Sequence, residues 1–273
     1  MQLFEIIAKR VKSQDLQVLI EFEMKIVMCR TANVTKLYHE LSSLLTDTIK
    51  FEDLKNKLAL ITVYTGDKDS FLYETGHIKK IRKLGKICRS YNLQTTITHF
   101  PSRSLVGRPK VPKYFIEDFR EFSLRGRAGY RAFWVYKNNS IIDRINRSLQ
   151  SERDVGILLG YPVCCVEEYV ENKVKGIEII FAALKKKAKT REEIKRLLYA
   201  NVELQIELPD WNLVDKTIMQ FPFVFHVACR DCLSGKSDAS MKQNKQYEEI
   251  AFNVSKHFHD EVLKSSANIR NRG

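Results

Sequence analysis

Cys164 and Cys165 stand side by side in LLGYPVCCVEEYVE, and Cys229 and Cys232 form a Cys-x-x-Cys step in FVFHVACRDCLSG, just after His226. Thiols and an imidazole at such spacing can hold a soft metal ion or an iron–sulfur cluster, or carry out thiol chemistry. A Cys-x-x-Cys turn brings two thiolates to one ion, with bonds of about 2.3 Å, and leaves a tetrahedron half filled. His226 with one of Cys164 or Cys165 would complete it, as would both vicinal cysteines. The two pairs are therefore expected to meet in space despite their separation along the chain. The metal ligands are drawn from Cys164, Cys165, Cys229, Cys232 and His226, with zinc and an iron–sulfur cluster both open. Two other readings compete: a metal-free site in which Cys164, Cys165 or His226 is catalytic, and cysteines that are merely buried and unreactive.

The elements that must position these residues are partly legible. In GYPVCC, Gly160 permits an unusual backbone conformation and Pro162 suits the first position of a helix, so a helical turn and a half is expected from Val163 to Val170. Cys164 and Cys165 then lie near the positive end of a helix dipole, where a thiolate is favoured, with Glu167 and Glu168 one turn later opposing the effect. Adjacent helical residues point about 100° apart, so only one of the two is expected to face the site. FPFVFHVAC reads as a strand-like run and RDCLSGKSDAS as a polar turn. Cys29 and Cys88 stand alone in apolar patterns and read as core thiols. A chain without a secretion signal meets a reducing compartment, which ranks metal or catalytic thiols above disulfides, and a vicinal disulfide would be strained.

LLGYPVCCVEEYVE and HVACRDCLSGKSDASMKQNKQYEEIA resemble a poorly characterised prokaryotic family, domain of unknown function 483, in which a GYP-x-CC segment and a later Cys-x-x-Cys segment recur. The resemblance covers mainly Arg127 to Val254. It directs attention to Gly160, Tyr161, Pro162, Cys164, Cys165, His226, Cys229, Cys232 and Ser240. It implies no reaction, and the N-terminal half gains nothing from it.

Upstream of the cysteines the chain reads as alternating strands and helices. Leu16 to Cys29, Leu58 to Tyr64, Thr95 to Phe100 and Tyr130 to Tyr136 are strand candidates, while Asn33 to Leu45 and Phe71 to Tyr91 carry helical patterns. From Asp143 onward the pattern is helical. Thr190 to Glu193 is a capping box, and Tyr247, Ile250, Ala251, Val254, Phe258 and Val262 recur at helical steps as one buried stripe. His257 and His259 flank that stripe, too far around a helix for one ligand face, and read as partly exposed. The expected fold is an α/β N-terminal half followed by a mainly α-helical C-terminal half. Its expected division is a basic α/β domain over residues 1–142 and a helical domain over 143–273 that carries the cysteine motifs.

The chain has 46 Lys and Arg against 33 Asp and Glu, and the excess is local. From Lys79 to Gln150 there are 17 basic residues against four acids, Glu117, Asp118, Glu121 and Asp143, and the remainder is balanced. Such a run is either a solvated face or a surface for phosphates, where counterion release favours nucleic acid. PSRSLVGRPKVPK, from Pro101 to Lys113, is expected to be an exposed irregular loop. Arg103, Arg108, Lys110 and Lys113 within it, with Arg125, Arg127 and Arg131 beyond, are the candidate nucleic-acid contacts, and RNA is the expected partner. Tyr130, Trp134 and Tyr136 either form a base-stacking platform or face the core from a central strand. No Walker loop, G-x-G-x-x-G, RNP1-like sequence or H-E-x-x-H occurs. The longest apolar stretches, such as Phe221 to Ala228, fall far short of the roughly twenty residues that cross a bilayer, and MQLFEIIAKRVKSQD has no signal-peptide core. A soluble, cytoplasmic, metal-dependent protein acting on nucleic acid is expected, as an RNA or tRNA modification enzyme or a subunit of one. The alternatives are a non-enzymatic nucleic-acid binder with structural zinc, and a thiol enzyme acting on a small anionic substrate.

Overall fold

Leu58 to Tyr64 has the composition of a strand, yet it lies inside a helix, Lys50–Thr65 (α2), following a helix over residues 32–44 (α1). Leu58, Leu60, Ile61 and Val63 are all fully buried there. A helix covered on every side loses its polar face, and a short apolar run then reads the same as a strand. The computed structural model describes residues 32–45, 50–99, 108–125, 130–149, 151–200, 208 and 212–270. The strand expected over Leu16 to Cys29 lies outside the described residues, as do Cys29, Arg103 and Arg127.

Phe71 to Tyr91, expected to be helical throughout, begins as strand β1, Ser70–Thr75, and becomes helical only at α3, Ile78–Ser90. Strand β2, Gln94–His99, helix α4, Lys113–Arg125, and strand β3, Arg131–Tyr136, follow. The strands form one antiparallel sheet in the order β1-β3-β2, with Trp134 opposite Leu72 on one side and Thr96 on the other. β3 is thus central. Its Phe133 and Val135 enter the largest core, while Ala132, Trp134 and Tyr136 enter a second core on the opposite face. Trp134 donates its indole N–H to Thr98 Oγ1 at 3.1 Å. With Trp134 and Tyr136 buried, the stacking platform does not form, and of the three aromatics only Tyr130 is exposed.

The described chain beyond the sheet is helical, as expected. It comprises α5 (Ile141–Ser148), α6 (Glu152–Leu158), α7 (Val163–Lys187), α8 (Arg191–Tyr199), α9 (Leu213–Gln220), α10 (Arg230–Leu233), α11 (Ala239–Val254) and α12 (Lys256–Arg270). The capping box at Thr190 is present with both of its reciprocal bonds. The stripe from Tyr247 to Val262 faces the core, but on two helices. Ser255 is extended (φ −169°, ψ 144°), and its hydroxyl accepts from the Phe258 N–H at 3.0 Å to open α12.

One core draws from both sides of position 142. Leu37, Leu41, Leu58 and Leu84 cluster with Tyr247, Val254, Phe258 and Val262. The Tyr38 and Phe258 rings lie 4.6 Å apart, and Thr35 Oγ1 donates to the Val254 carbonyl at 3.2 Å. Among the described residues no helix is long and apolar enough to cross a membrane.

Candidate metal centre

Gly160 has φ +73°, a left-handed value that suits glycine, and its carbonyl accepts from Gln243 Nε2 at 2.6 Å. Pro162 (φ −56°, ψ 135°) is the N-cap, one position earlier than expected, and the helix it opens runs to Lys187 rather than stopping near Val170. A Cβ on Gly156 of α6 would meet Val166 Cγ2 at 2.9 Å, so the glycine lets α6 seat the first turn of α7. Cys164 and Cys165 are fixed on that turn.

FPFVFHVAC is irregular rather than a strand. Side chains satisfy its buried backbone in place of a ladder: Phe223 N–H donates to Asn244 Oδ1 and Ala228 N–H to Thr217 Oγ1, each at 2.9 Å. Cys229 is the N-cap of α10, and Cys232 lies in its single turn. Glu168 accepts from the Arg230 backbone N–H at 3.0 Å and pairs with its guanidinium at 3.1 Å, clamping this turn onto α7. Glu167 pairs with Arg153 at 2.6 Å. Both carboxylates expected to oppose the thiolates are thus engaged by arginines.

The two cysteine pairs meet. All four sulfurs lie within 4.8 Å of one another, with Cys164–Cys165 at 3.9 Å, Cys164–Cys232 at 3.8 Å and Cys165–Cys232 at 3.7 Å. Four thiolates about 2.3 Å from one ion form a tetrahedron with edges of about 3.8 Å, so this spacing fits a single four-coordinate ion. Both vicinal cysteines take part, against the expectation of one, because the Cys232 turn sits in the angle between their side chains. An iron–sulfur cluster distributes its thiolates over separate irons and spreads them further apart than the ligands of one ion.

His226 stands outside the four. Its Nε2 bonds Ser240 Oγ at 2.9 Å, and that hydroxyl lies 3.4 Å from Cys165 Sγ. It thereby orients Ser240 beside Cys165 and lies outside the four clustered sulfurs. Cys229 N–H donates to Cys165 Sγ at 3.4 Å, and Ser237 Oγ lies 3.9 Å from Cys164 Sγ. Ser237 escaped notice in the sequence, where a serine in a polar turn carries no signal. His259 bonds Asp260 at 3.0 Å and Glu248 at 3.4 Å, and His257 lies 3.7 Å from Glu261.

Burial pushes the Cys165 thiol well above its ordinary range and Cys229 up to about 11. Burial acts the same way on Cys232, but hydrogen bonds from Ser240, Ser237 and Cys229 outweigh it and bring that thiol down to about 7. The group contains one sulfur disposed to ionise and two whose ionisation burial opposes. Cys88 is fully buried, is raised to about 12 by that burial, and is a core thiol as expected.

The basic candidates are dispersed. Arg108 and Lys110 are exposed in an irregular stretch, Lys113 lies 4.0 Å from Glu117, and Arg125 pairs with Glu121 at 3.1 Å while covering the Tyr199 ring. Arg131 is half-buried. A more uniform face lies on α3. There Lys79, Arg82, Lys83, Lys86 and Arg89 are exposed, form no ion pair among the described residues and share the helix with no acid, while Ile81, Leu84 and Cys88 enter the core.

Beside Cys165 and His226 lies a cavity of about 660 Å³ that Lys55 and Lys68 line. Lys68 sits in TGDKDS, which has the composition of a solvated turn, yet it is only 6% exposed. Lys55 lies four residues after Phe51 and four before Ala59, and all three line the cavity from one face of α2. Comparison of the chain with known protein families, curated proteins and solved structures finds no match.

Proposed function

We propose that this chain is a zinc-stabilised nucleic-acid-binding protein, in which Cys164, Cys165, Cys229 and Cys232 enclose one ion and the basic face of α3 meets phosphates. The observation that carries the metal reading is the clustering of all four sulfurs within 4.8 Å, with the three pairs among Cys164, Cys165 and Cys232 at 3.7–3.9 Å, the edge length of one tetrahedral thiolate shell. Four thiolates leave no open coordination position, which favours a structural ion over a catalytic one and a binder over a metal-dependent RNA or tRNA modification enzyme. The ion would tie α10 to the start of α7. Anaerobically purified protein is expected to hold about one zinc per chain and to show no visible absorption. Several irons and acid-labile sulfide per chain would exclude the single-ion reading. Membership of the domain of unknown function 483 family, suggested by GYPVCC and CRDC, is part of this proposal and adds no reaction to it.

The nucleic-acid half rests on α3, a helix whose exposed charges are all cationic. Each phosphate it neutralises steepens the fall of log affinity with log salt by about 0.7 on single strands and about 0.9 on duplex. Lys83→Glu combined with Lys86→Glu should weaken RNA binding about tenfold or more and flatten that slope by about one to two. RNA affinity indifferent to salt and to this pair would remove the nucleic-acid half and leave the metal centre standing.

A further inference from the structure

We propose that the cavity beside the thiolate centre is a binding site for a small organic anion with an apolar body, its charged group held by Lys55 and Lys68. The walls are largely aromatic and aliphatic, with Phe51, Val155, Val214 and Phe225 among them, and the volume of about 660 Å³ suits a metabolite-sized molecule. Two cations stand in this apolar setting. The Lys68 ammonium lies 4.5 Å over the Phe225 ring and 5.2 Å over Tyr161; that of Lys55 lies 5.0 Å over Phe51 and 5.9 Å over the same Phe225, and donates to the Val224 carbonyl. Sharing one ring, both ammoniums converge on one region.

Neither lysine is ion-paired among the described residues. Of the cavity's carboxylates, Glu152 is taken by Lys173, and Glu52 and Glu74 are solvent-exposed. A buried cation without a counterion among the described residues is costly, and an anion arriving from solvent would supply one. Burial lowers both lysines to about 7, so an arriving anion would draw them fully into the charged form.

An independent sign of an absent partner comes from His226, which lines the same cavity. It is nine-tenths buried, and its Nδ1 bonds nothing among the described residues. If Ser240 donates its hydroxyl proton to the Cys165 sulfur, Nε2–H donates to Ser240 and Nδ1 is left as a lone pair. Burial, then Lys68 and Lys55, holds the ring neutral at about 3. A hydroxyl or N–H next to the anionic group would complete its bonding. This site does not depend on the metal reading, because its two charged residues belong to α2 and to the turn before β1.

Anilinonaphthalene sulfonate, an aromatic body with one fixed negative charge, is a direct probe, and N-phenylnaphthylamine is its uncharged counterpart. The full chain, as purified, should bind about one sulfonate per molecule. Lys68→Met and Lys55→Met should each weaken that binding about tenfold or more, Lys68→Arg should largely retain it, and the uncharged probe should be indifferent to Lys68→Met. Metal content and the thermal melt report whether each variant is folded; Lys68→Met should melt no lower than wild type, since it removes an unpaired buried charge. Absence of saturable sulfonate binding, wild-type affinity retained by both methionine variants, or equal affinity of wild type for the uncharged probe overturns the proposal.

Discussion

Cys165→Ala and Cys232→Ala should each abolish stoichiometric metal binding, whereas Cys88→Ala should leave it intact. Cys165 and Cys232 sit at the centre of the group, each less than 4 Å from the other and from Cys164. Removing either leaves three thiolates and an open edge. Structural zinc in small thiolate sites contributes on the order of 10 kcal/mol of folding free energy, comparable with the whole stability of a domain. Even with partial compensation by the surrounding core, a loss of at least about 3 kcal/mol is expected, lowering the melting temperature by about 6–12 °C. Chelator treatment of wild type should reproduce that shift and have no further effect on the two variants. Metal content unchanged in either variant would show that the ion, if any, is held elsewhere.

Stability should rise with pH between about 7 and about 9, and Lys55 and Lys68 should be the main cause. Burial holds both at about 7 in the folded chain, below the 10.5 they regain on unfolding. Through that window the unfolded state binds more protons, so each lysine adds up to about 1.4 kcal/mol of stability per pH unit. Below about pH 7 both states are protonated and the penalty is present in full; above about 10.5 neither is, and it vanishes. The neighbouring groups bound the window: burial and the two lysines hold His226 at about 3, the lowered Cys232 adds to the rise between about 7 and 9, and the burial-raised thiols of Cys88, Cys165 and Cys229 oppose the rise once their unfolded counterparts ionise at about 9. Chemical denaturation at several pH values should show the rise in wild type, and Lys68→Met should be flatter and more stable at pH 7. A flat profile in wild type, or the wild-type slope retained in both Lys68→Met and Lys55→Met, would contradict it.

The cysteine centre was legible because its information is local: Cys164-Cys165 and Cys229-x-x-Cys232 carry their ligand spacing in the sequence, and Gly160-Tyr-Pro162 signals the helix that presents one pair. What the sequence hides is which way a residue faces once other elements cover it. Leu58 to Tyr64 passed for a strand because α2 is buried on all sides. The stripe on α11 and α12 was plain because solvent keeps one face of each helix polar. The short strand β1 merged with α3 into one apparent helix, since six residues supply too little alternation to mark a change of period. His226 carried the right residue type but stands behind Ser240, two contacts from the Cys165 sulfur, a difference that only three-dimensional placement decides. Lys55 and Lys68 carried no signal, because a buried lysine and a solvated one have the same letter.

The bond from Thr35 to Val254 joins residues 219 positions apart, and the rings of Tyr38 and Phe258 pack beside it. During synthesis at about 5–20 residues per second, α1 leaves the ribosome roughly 10–45 s before the helices that cover it exist. Through that interval Leu37, Leu41 and Leu45, fully buried at the end, have no C-terminal helices to rest on. The nascent first half is therefore a natural client for a holdase chaperone, and a chain arrested before α11 should be degraded rather than accumulate as a folded fragment.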